Sequence, residues 1–421
     1  MLLKHMVVRR DKSNSMIARH SHLAVCLLIG CFCIALTSKS SDVDLPIWKR
    51  EILRSVGPVK WSKEELWDNN RAGLVFLNDH ELLAYGVYHE NKGFSSRTGP
   101  ALTNPFILHA WLVNSQSGDI EDQKEWGTHA HDSAVHATSD GVLVKTGGIV
   151  KVYSRDFKQA RDLPLPLDAS SRIAVNVSSS GKTIMINQRA FSLGKAFHDR
   201  LDVFDAQSLS RRYSWDQSPS FRLSGDAYSI SDNGIVAATS NGRNILYTQF
   251  GSSQWRLILD DQSRTCIAGF PTIVTNDLIA ILCKELTVLT TKGEFYSIHR
   301  QIDSNNDAEM GTRSCQSVPF GIGNIVSSGA PVLAFTLPLF KEQKSFLRES
   351  ELCLVGLQIV AFDLNLRKQV LKLNINPHPT EAYDFALSPD GSKLAVLADR
   401  TVYLYAIPNV PGENNASGAA N

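Results

Sequence analysis

Asp384-Phe385-Ala386-Leu387-Ser388-Pro389-Asp390-Gly391-Ser392-Lys393-Leu394-Ala395-Val396-Leu397 is the stretch from which the fold is read. Two apolar runs flank a Pro-Asp-Gly corner. Proline presets φ for the first corner position and glycine accepts positive φ, so the order specifies a tight turn between two strands. A third run, Thr401-Val402-Tyr403-Leu404-Tyr405-Ala406, alternates large residues, as a sheet strand with two differently packed faces requires.

Working outward, the same strand–turn–strand signature recurs at Leu77-Asn78-Asp79-His80, Ser139-Asp140-Gly141, Ser180-Gly181, Asp232-Asn233-Gly234, Asn276-Asp277 and Ser328-Gly329. Further hairpins follow some copies. Leu201–Asp205 turns through Ala206-Gln207-Ser208 into Arg212–Trp215, and Ile359–Asp363 turns through Leu364-Asn365 into Gln369–Leu373. From Gly141 through Gly181, Gly234, Asp277 and Gly329 to Gly391, the separations are 40, 53, 43, 52 and 62 residues. Units of four strands at that irregular spacing predict an all-β chain, a β-propeller of four-stranded antiparallel blades with inserted loops. Seven blades is the favoured count within a range of six to eight. The last copy lacks a fourth strand, while Leu45–Leu53 precedes the first copy as an orphan strand. Pairing the two would close the ring and protect its edges; the competing reading is a linker.

The Asp390-Gly391-Ser392-Lys393-Leu394-Ala395 hairpin resembles the SPDG-type repeat of WD-like and bacterial periplasmic propeller families. The repeat resemblance extends over about residues 70–408. Gly-His and Trp-Asp pairs do not recur in each copy. Those families imply recognition scaffolds more often than one fixed reaction.

The chain has 421 residues, 43% hydrophobic and 20% charged, with a formal charge of +1. Residues 1–22 hold Lys4, Arg9, Arg10, Lys12 and Arg19 against Asp11, a net of +4, leaving 38 basic and 41 acidic residues elsewhere. A slightly acidic body offers no phosphate-binding field, which argues against nucleic acid as a partner. The basic start leads into the 14 apolar residues Leu23–Leu36, the length of an export-signal core and short for a membrane span. Residues 1–40 are therefore read as a signal peptide or an uncleaved membrane anchor, 41–408 as the propeller and 409–421 as a disordered tail. The expected location is periplasmic or extracellular, with membrane tethering through residues 1–40 as the variant. Leu28-Ile29-Gly30-Cys31 resembles a bacterial lipoprotein box. Outside the apolar run the cysteines are Cys266, Cys283, Cys315 and Cys353; an exported chain permits disulfides, and three full pairings stay open.

Strand 1–2 and 3–4 turns share one rim of a propeller, while 2–3 loops and connections between blades share the other. The long insertions, Asn91–Asn104, Ala190–Arg200, Pro338–Glu351 and Gln301–Val326, all fall on the second rim. Elaborated loops on a rigid scaffold gather function, and these carry Phe94, Arg97, Phe197, Arg200, Phe340, Lys341, Phe346 and Arg348. Aromatic and arginine anchors favour protein interfaces; the alternative for each Phe is that it caps the core under its own loop. Thr128-His129-Ala130-His131-Asp132 with His136 is the densest possible metal feature, though satisfied or exposed histidines in a polar lead-in are favoured. The Asp202 and Asp205 pair is read as solvated strand-end carboxylates. No GxSxG elbow, Walker loop or dinucleotide fingerprint occurs. The expectation is a non-enzymatic scaffold for a protein or other macromolecule, without catalytic residues, metal or cofactor. A metal-dependent, lactonase-like hydrolase acting at the central channel is the alternative, and oligomeric state stays open.

Overall fold

The computed structural model describes residues 45–52, 72–89, 106–128, 133–165, 172–190, 198–216, 223–240, 244–252, 254–260, 271–275, 278–282, 286–290, 295–298, 330–345, 348–377, 379 and 382–408. The expected signal or anchor, the tail, and most of the expected insertions lie outside them.

A short strand, β1 (Trp48–Glu51), precedes seven successive sheets. Blade one is β2 (Ala72–Phe76), β3 (Glu81–His89), β4 (Phe106–Asn114) and β5 (Ile120–Thr128). Blade two is β6 (Ser133–Thr138), β7 (Gly141–Thr146), β8 (Ile149–Ser154) and β9 (Ala160–Asp162). Blade three is β10 (Arg172–Val177), β11 (Thr183–Ala190), β12 (His198–Asp205) and β13 (Arg211–Asp216). Blade four is β14 (Leu223–Ile230), β15 (Ile235–Ser240), β16 (Asn244–Gln249) and β17 (Arg256–Asp260). Blade five is β18 (Thr272–Thr275), β19 (Leu278–Leu282), β20 (Leu286–Thr290) and β21 (Phe295–Ile298). Blade six shows β22 (Val332–Ser345), β23 (Arg348–Asp363) and β24 (Lys368–Ile375) among the described residues. Blade seven is β25 (Tyr383–Leu387), β26 (Lys393–Ala398) and β27 (Thr401–Ala406), completed by β1.

Every pairing within the sheets is antiparallel between neighbours in the chain, save the one that closes the ring. There β1 pairs with β27, placing Trp48 opposite Leu404 and Glu51 opposite Thr401. The strands β2, β6, β10, β14, β18 and β25 lie innermost, and β2 contacts both β6 and β25. The fold is a seven-bladed β-propeller of small antiparallel sheets, closed by the strand at Trp48–Glu51.

Period-two alternation explains how single strands serve two interfaces. On β27, Val402 and Leu404 join a buried cluster with Ile52, Leu74, Phe76 and Trp111, while Tyr403 and Tyr405 pack on a second cluster with Leu371 and Leu373. The first cluster lies between blades seven and one, the second between six and seven. Seven such clusters occupy the seven gaps between adjacent blades. No blade covers its own faces, so the core exists only once the ring has formed.

Candidate functional site

The two rims are built differently. On the rim of the 1–2 turns, neighbouring blades interlock. The Asp390 N–H donates to Asp79 Oδ1 at 2.9 Å, and Lys393 Nζ donates to the Asp79 carbonyl at 2.6 Å and to Ser115 Oγ at 3.1 Å. These bonds join blades seven and one, and burial holds the Asp79 carboxyl above its ordinary value. Asp232 in blade four accepts from Ser178 Oγ at 2.6 Å and Thr183 Oγ1 at 3.2 Å in blade three, with Ser180 on its second oxygen. The Ser139 N–H donates to the Gly181 carbonyl at 2.9 Å, tying blade two to blade three. Gly181 has φ +75°, and a Cβ there would lie 2.6 Å from the Ser139 nitrogen, so the turn admits glycine alone.

The 3–4 turns on the same rim repeat one geometry. Asn114, Asp205 and Asp363 each accept, through Oδ1, from backbone N–H groups two and three residues on. A residue with positive φ follows four places on, Gly118, Leu209 and Arg367; in blade two the left-handed residue, Phe157, comes three places after Ser154. The corners at Asn114, Asp205 and Asp363 hold four residues with the left-handed one last, and the ladders beside them shift at Leu112/Val113, Val203/Phe204 and Ala361/Phe362.

The closing strand is fastened sideways onto this rim. Trp48 Nε1 donates to the Ser115 carbonyl at 2.9 Å, and Arg50 Nη1 donates to the Gly118 carbonyl at 2.6 Å and to Asp119 at 3.0 Å. The Trp48 ring covers Gly118 so closely that a Cβ there would sit 2.9 Å from it. Deeper in the same seam, Asp384 of β25 accepts the Leu74 N–H of β2 at 2.8 Å. It is largely enclosed, and burial pushes its carboxyl up to about 7.

The opposite rim carries the elaboration. The 2–3 connection of blade six is a two-stranded ribbon. The β22–β23 ladder continues from Val332↔Asp363 to Ser345↔Arg348, beyond the last pair of β23 with β24, Leu357↔Ile375. The described residues of Pro338–Glu351, expected as a loop, are thus strand. Hairpin pairing is local and needs only register, so the polar run Lys341–Ser345 joins it. At the ribbon's root a Cβ on Gly356 would lie 2.7 Å from the Ile375 carbonyl oxygen, a backbone atom that cannot swing aside, which explains the glycine.

Beside that root a cleft of about 610 Å³ opens between the outer edges of blades six and seven. One wall is Asn374 and Ile375 at the end of β24 with Asn376, Pro377 and Pro379. The other is Val396 and Ala398 of β26, the β26–β27 turn at Asp399-Arg400, and Thr401, Tyr403 and Tyr405 of β27; Glu51 of β1 completes it. The two tyrosine rings stack at 6.5 Å with 19° between their planes. Burial, then the neighbouring Tyr403, raises the Tyr405 hydroxyl above its ordinary value.

Of the eight residues expected at the working rim, Arg200 alone has a described side chain. It lies inside β12, not in a loop, and clasps Asp202 at 2.9–3.1 Å. Asp202 is fully buried, also accepts from Gln188 Nε2 at 3.1 Å, and has Arg211 Nη1 at 3.6 Å. The expectation of a solvated Asp202 is therefore corrected. Its carboxylate ties β11, β12 and β13 together within blade three, and Asp205 caps a turn. Phe340 and Lys341 lie in β22 opposite Leu354 and Cys353, and Arg348 opens β23 opposite Ser345. Phe94, Arg97, Phe197 and Phe346 lie outside the described residues, as do His129, His131, Asp132, Cys266, Cys283 and Cys315.

His136 sits on β6, where burial and then the Lys145 charge lower its pKa to about 4. It is neutral at physiological pH. Among the described residues no three His, Cys, Asp or Glu side chains converge as metal ligands would.

No protein-family model and no curated protein sequence matches this chain. Among solved structures it is similar to the WD40 domain of Pan2 from Neurospora crassa, with 13% identity and a TM-score of 0.46 over 88% of this chain and 97% of that one. It is similar also to a chain of a mitotic checkpoint complex, with 12% identity and a TM-score of 0.47 over 87% and 96%. An acylaminoacyl peptidase from Pyrococcus horikoshii matches with 10% identity and a TM-score of 0.48 over 81% and 52%. These likenesses concern the propeller fold alone.

Proposed function

We propose that this chain is an exported, non-enzymatic propeller that binds a protein through the rim carrying the β22–β23 ribbon, in the manner of the periplasmic SPDG-type propellers its last hairpin resembles. The observation that carries the reading is the cleft of about 610 Å³ at the ribbon's root, walled by two adjacent blades and the closing strand. The opposite rim is tied up in bonds between blades, so the free length of the chain gathers on this one. Export rests on the basic start and the apolar run Leu23–Leu36.

Two measurements test it. Replacing Pro338–Glu351 by a short Gly/Ser turn is expected to abolish capture of the partner by the tagged full chain in the cells that make it, while the melting profile stays cooperative. Capture that survives this change and equivalent changes at the other insertions defeats the reading. Amino-terminal sequencing of the mature protein is expected to find a new terminus near residues 36–42; an intact start would replace secretion by tethering.

A further inference from the structure

We propose that the wall of the central channel, where blades seven and one meet, binds a primary ammonium group through the Asp384 carboxylate and the Tyr85 hydroxyl. Backbone geometry places the carboxylate. β2 is innermost in its blade, so one of its edges pairs with β3 and the other faces the channel. Asp384 accepts the Leu74 N–H at 2.8 Å, and an N–H free to be taken from another blade lies on the channel edge. The carboxylate therefore stands beside that edge. As the second residue of β25 it lies toward the rim that carries the ribbon.

What the carboxylate lacks is a counter-charge. Asp202 is matched by Arg200 and Arg211, and Asp205 by Arg212. Among the described residues no Lys, Arg or His pairs with Asp384, which accepts only the backbone N–H groups of Leu74 and Phe385. Arg400 acts on Tyr88 and not on this carboxyl. Of the two phenols beside it, Tyr383 is held by Thr336 at 3.0 Å, while the Tyr85 hydroxyl has no hydrogen-bond partner among the described residues. Tyr85 and Asp384 converge over Gly73: a Cβ there would touch the hydroxyl and lie 2.7 Å from Asp384 Oδ2. A largely enclosed carboxylate without a cation costs stability, which a ligand's charge offsets. The acceptors left open select that ligand. One carboxylate and one phenol are too few for a divalent metal ion, and among the described residues no three His, Cys, Asp or Glu converge. A guanidinium grips both carboxylate oxygens in one plane, a place that the two backbone N–H groups already contest. An ammonium is a compact charge whose three donors turn freely, so it can use the remaining lone pairs of Asp384 and Tyr85. A lysine side chain of the partner and a free amine share this chemistry.

The test adds methylammonium chloride to the purified full chain, with sodium and tetramethylammonium chlorides at equal ionic strength as references. A ligand of two non-hydrogen atoms reaches a Kd of about 10 mM at best. At about 100 mM it is expected to raise Tm by about 2 °C at pH 8. The rise should vanish at pH 5, where the carboxyl is neutral, and with tetramethylammonium, which brings the charge without a donor. Asp384→Asn should abolish it, and Tyr85→Phe should reduce it by about half. Carbon-13 NMR gives a second reading: methylammonium should lower the titration midpoint of the Asp384 carboxyl. Equal rises with the reference salts or in Asp384→Asn would overturn the proposal, as would an unmoved midpoint. Partner capture by Asp384→Asn separates the two sources, since loss assigns the ammonium to the partner and retention assigns it to a free amine. If methylammonium has no effect while the ribbon replacement still abolishes capture, this inference falls and the scaffold reading stands.

Discussion

Replacing Asp384 by asparagine should stabilise the ring at alkaline pH. The carboxyl lies in the seam that closes the propeller, accepts the Leu74 N–H at 2.8 Å, and faces the Tyr85 and Tyr383 hydroxyls. Burial pushes it up from the ordinary 3.8 to about 7. A folded-state pKa above the unfolded value means that the folded state holds the proton more tightly. Its contribution to stability is then complete below pH 3.8 and is lost as pH rises through 7. Three units correspond to about 4 kcal/mol in total, of which about 2–3 kcal/mol falls between pH 5 and pH 8. For an array of this size that is a fall of roughly 3–4 °C in Tm. Asparagine keeps an acceptor for Leu74 and removes the titration. Scanning calorimetry of both proteins at pH 5, 6, 7 and 8 should show the variant overtaking the wild type as pH rises. Parallel pH profiles, or a variant less stable at pH 8, would refute the account of the seam.

Three further outcomes follow from the same bonds. Arg200→Ala takes the nearest cation from the fully buried Asp202, leaving it Gln188 and the more distant Arg211, and should cost about 3 kcal/mol in urea unfolding, whereas a residue used only for binding would leave stability unchanged. Asp232→Ala removes the acceptor of three hydroxyls and should cost about 2–3 kcal/mol, with faster amide exchange in the Ser178–Thr183 turn. Trp48→Ala releases the closing strand from Ser115 and Gly118 and should cost about 2–4 kcal/mol, seen as early protease cleavage at the amino-terminal edge of blade seven.

The turns that need glycine were legible in the sequence, because Gly181 and Gly391 stand where φ is +75° and +72°. The 3–4 turns were only partly legible. Leu209 and Arg367 occupy the left-handed place that Gly118 fills in blade one, and no single residue type marks it. Closure was readable because Leu45–Leu53 reads as an orphan strand while the last copy of the repeat lacks its fourth. The ribbon was missed at Pro338, which signals a break locally yet sits in the ladder opposite Leu357. Arg200 was misplaced for a related reason. A charged residue beside an insertion reads as loop until Asp202, two residues on along β12, is seen to be buried and to need it as a partner. The cleft had no signal at all. Glu51, Asn374–Pro379 and Asp399–Tyr405 are turn and strand-end residues by themselves, and only ring formation brings them together.

That dependence links architecture to recognition. The strand β1 runs antiparallel to β27, so Trp48 lands on the rim of the 3–4 turns and Glu51 at the β26–β27 turn on the opposite rim. One end of this strand fastens blade seven to blade one through Ser115 and Gly118; the other end walls the cleft. By pairing with β27 it also removes the backbone edge that would otherwise invite strand addition there. The amino-terminal strand therefore does two jobs with four residues: it completes the core between blades seven and one, and it closes the end of the cleft lined by Tyr403 and Tyr405.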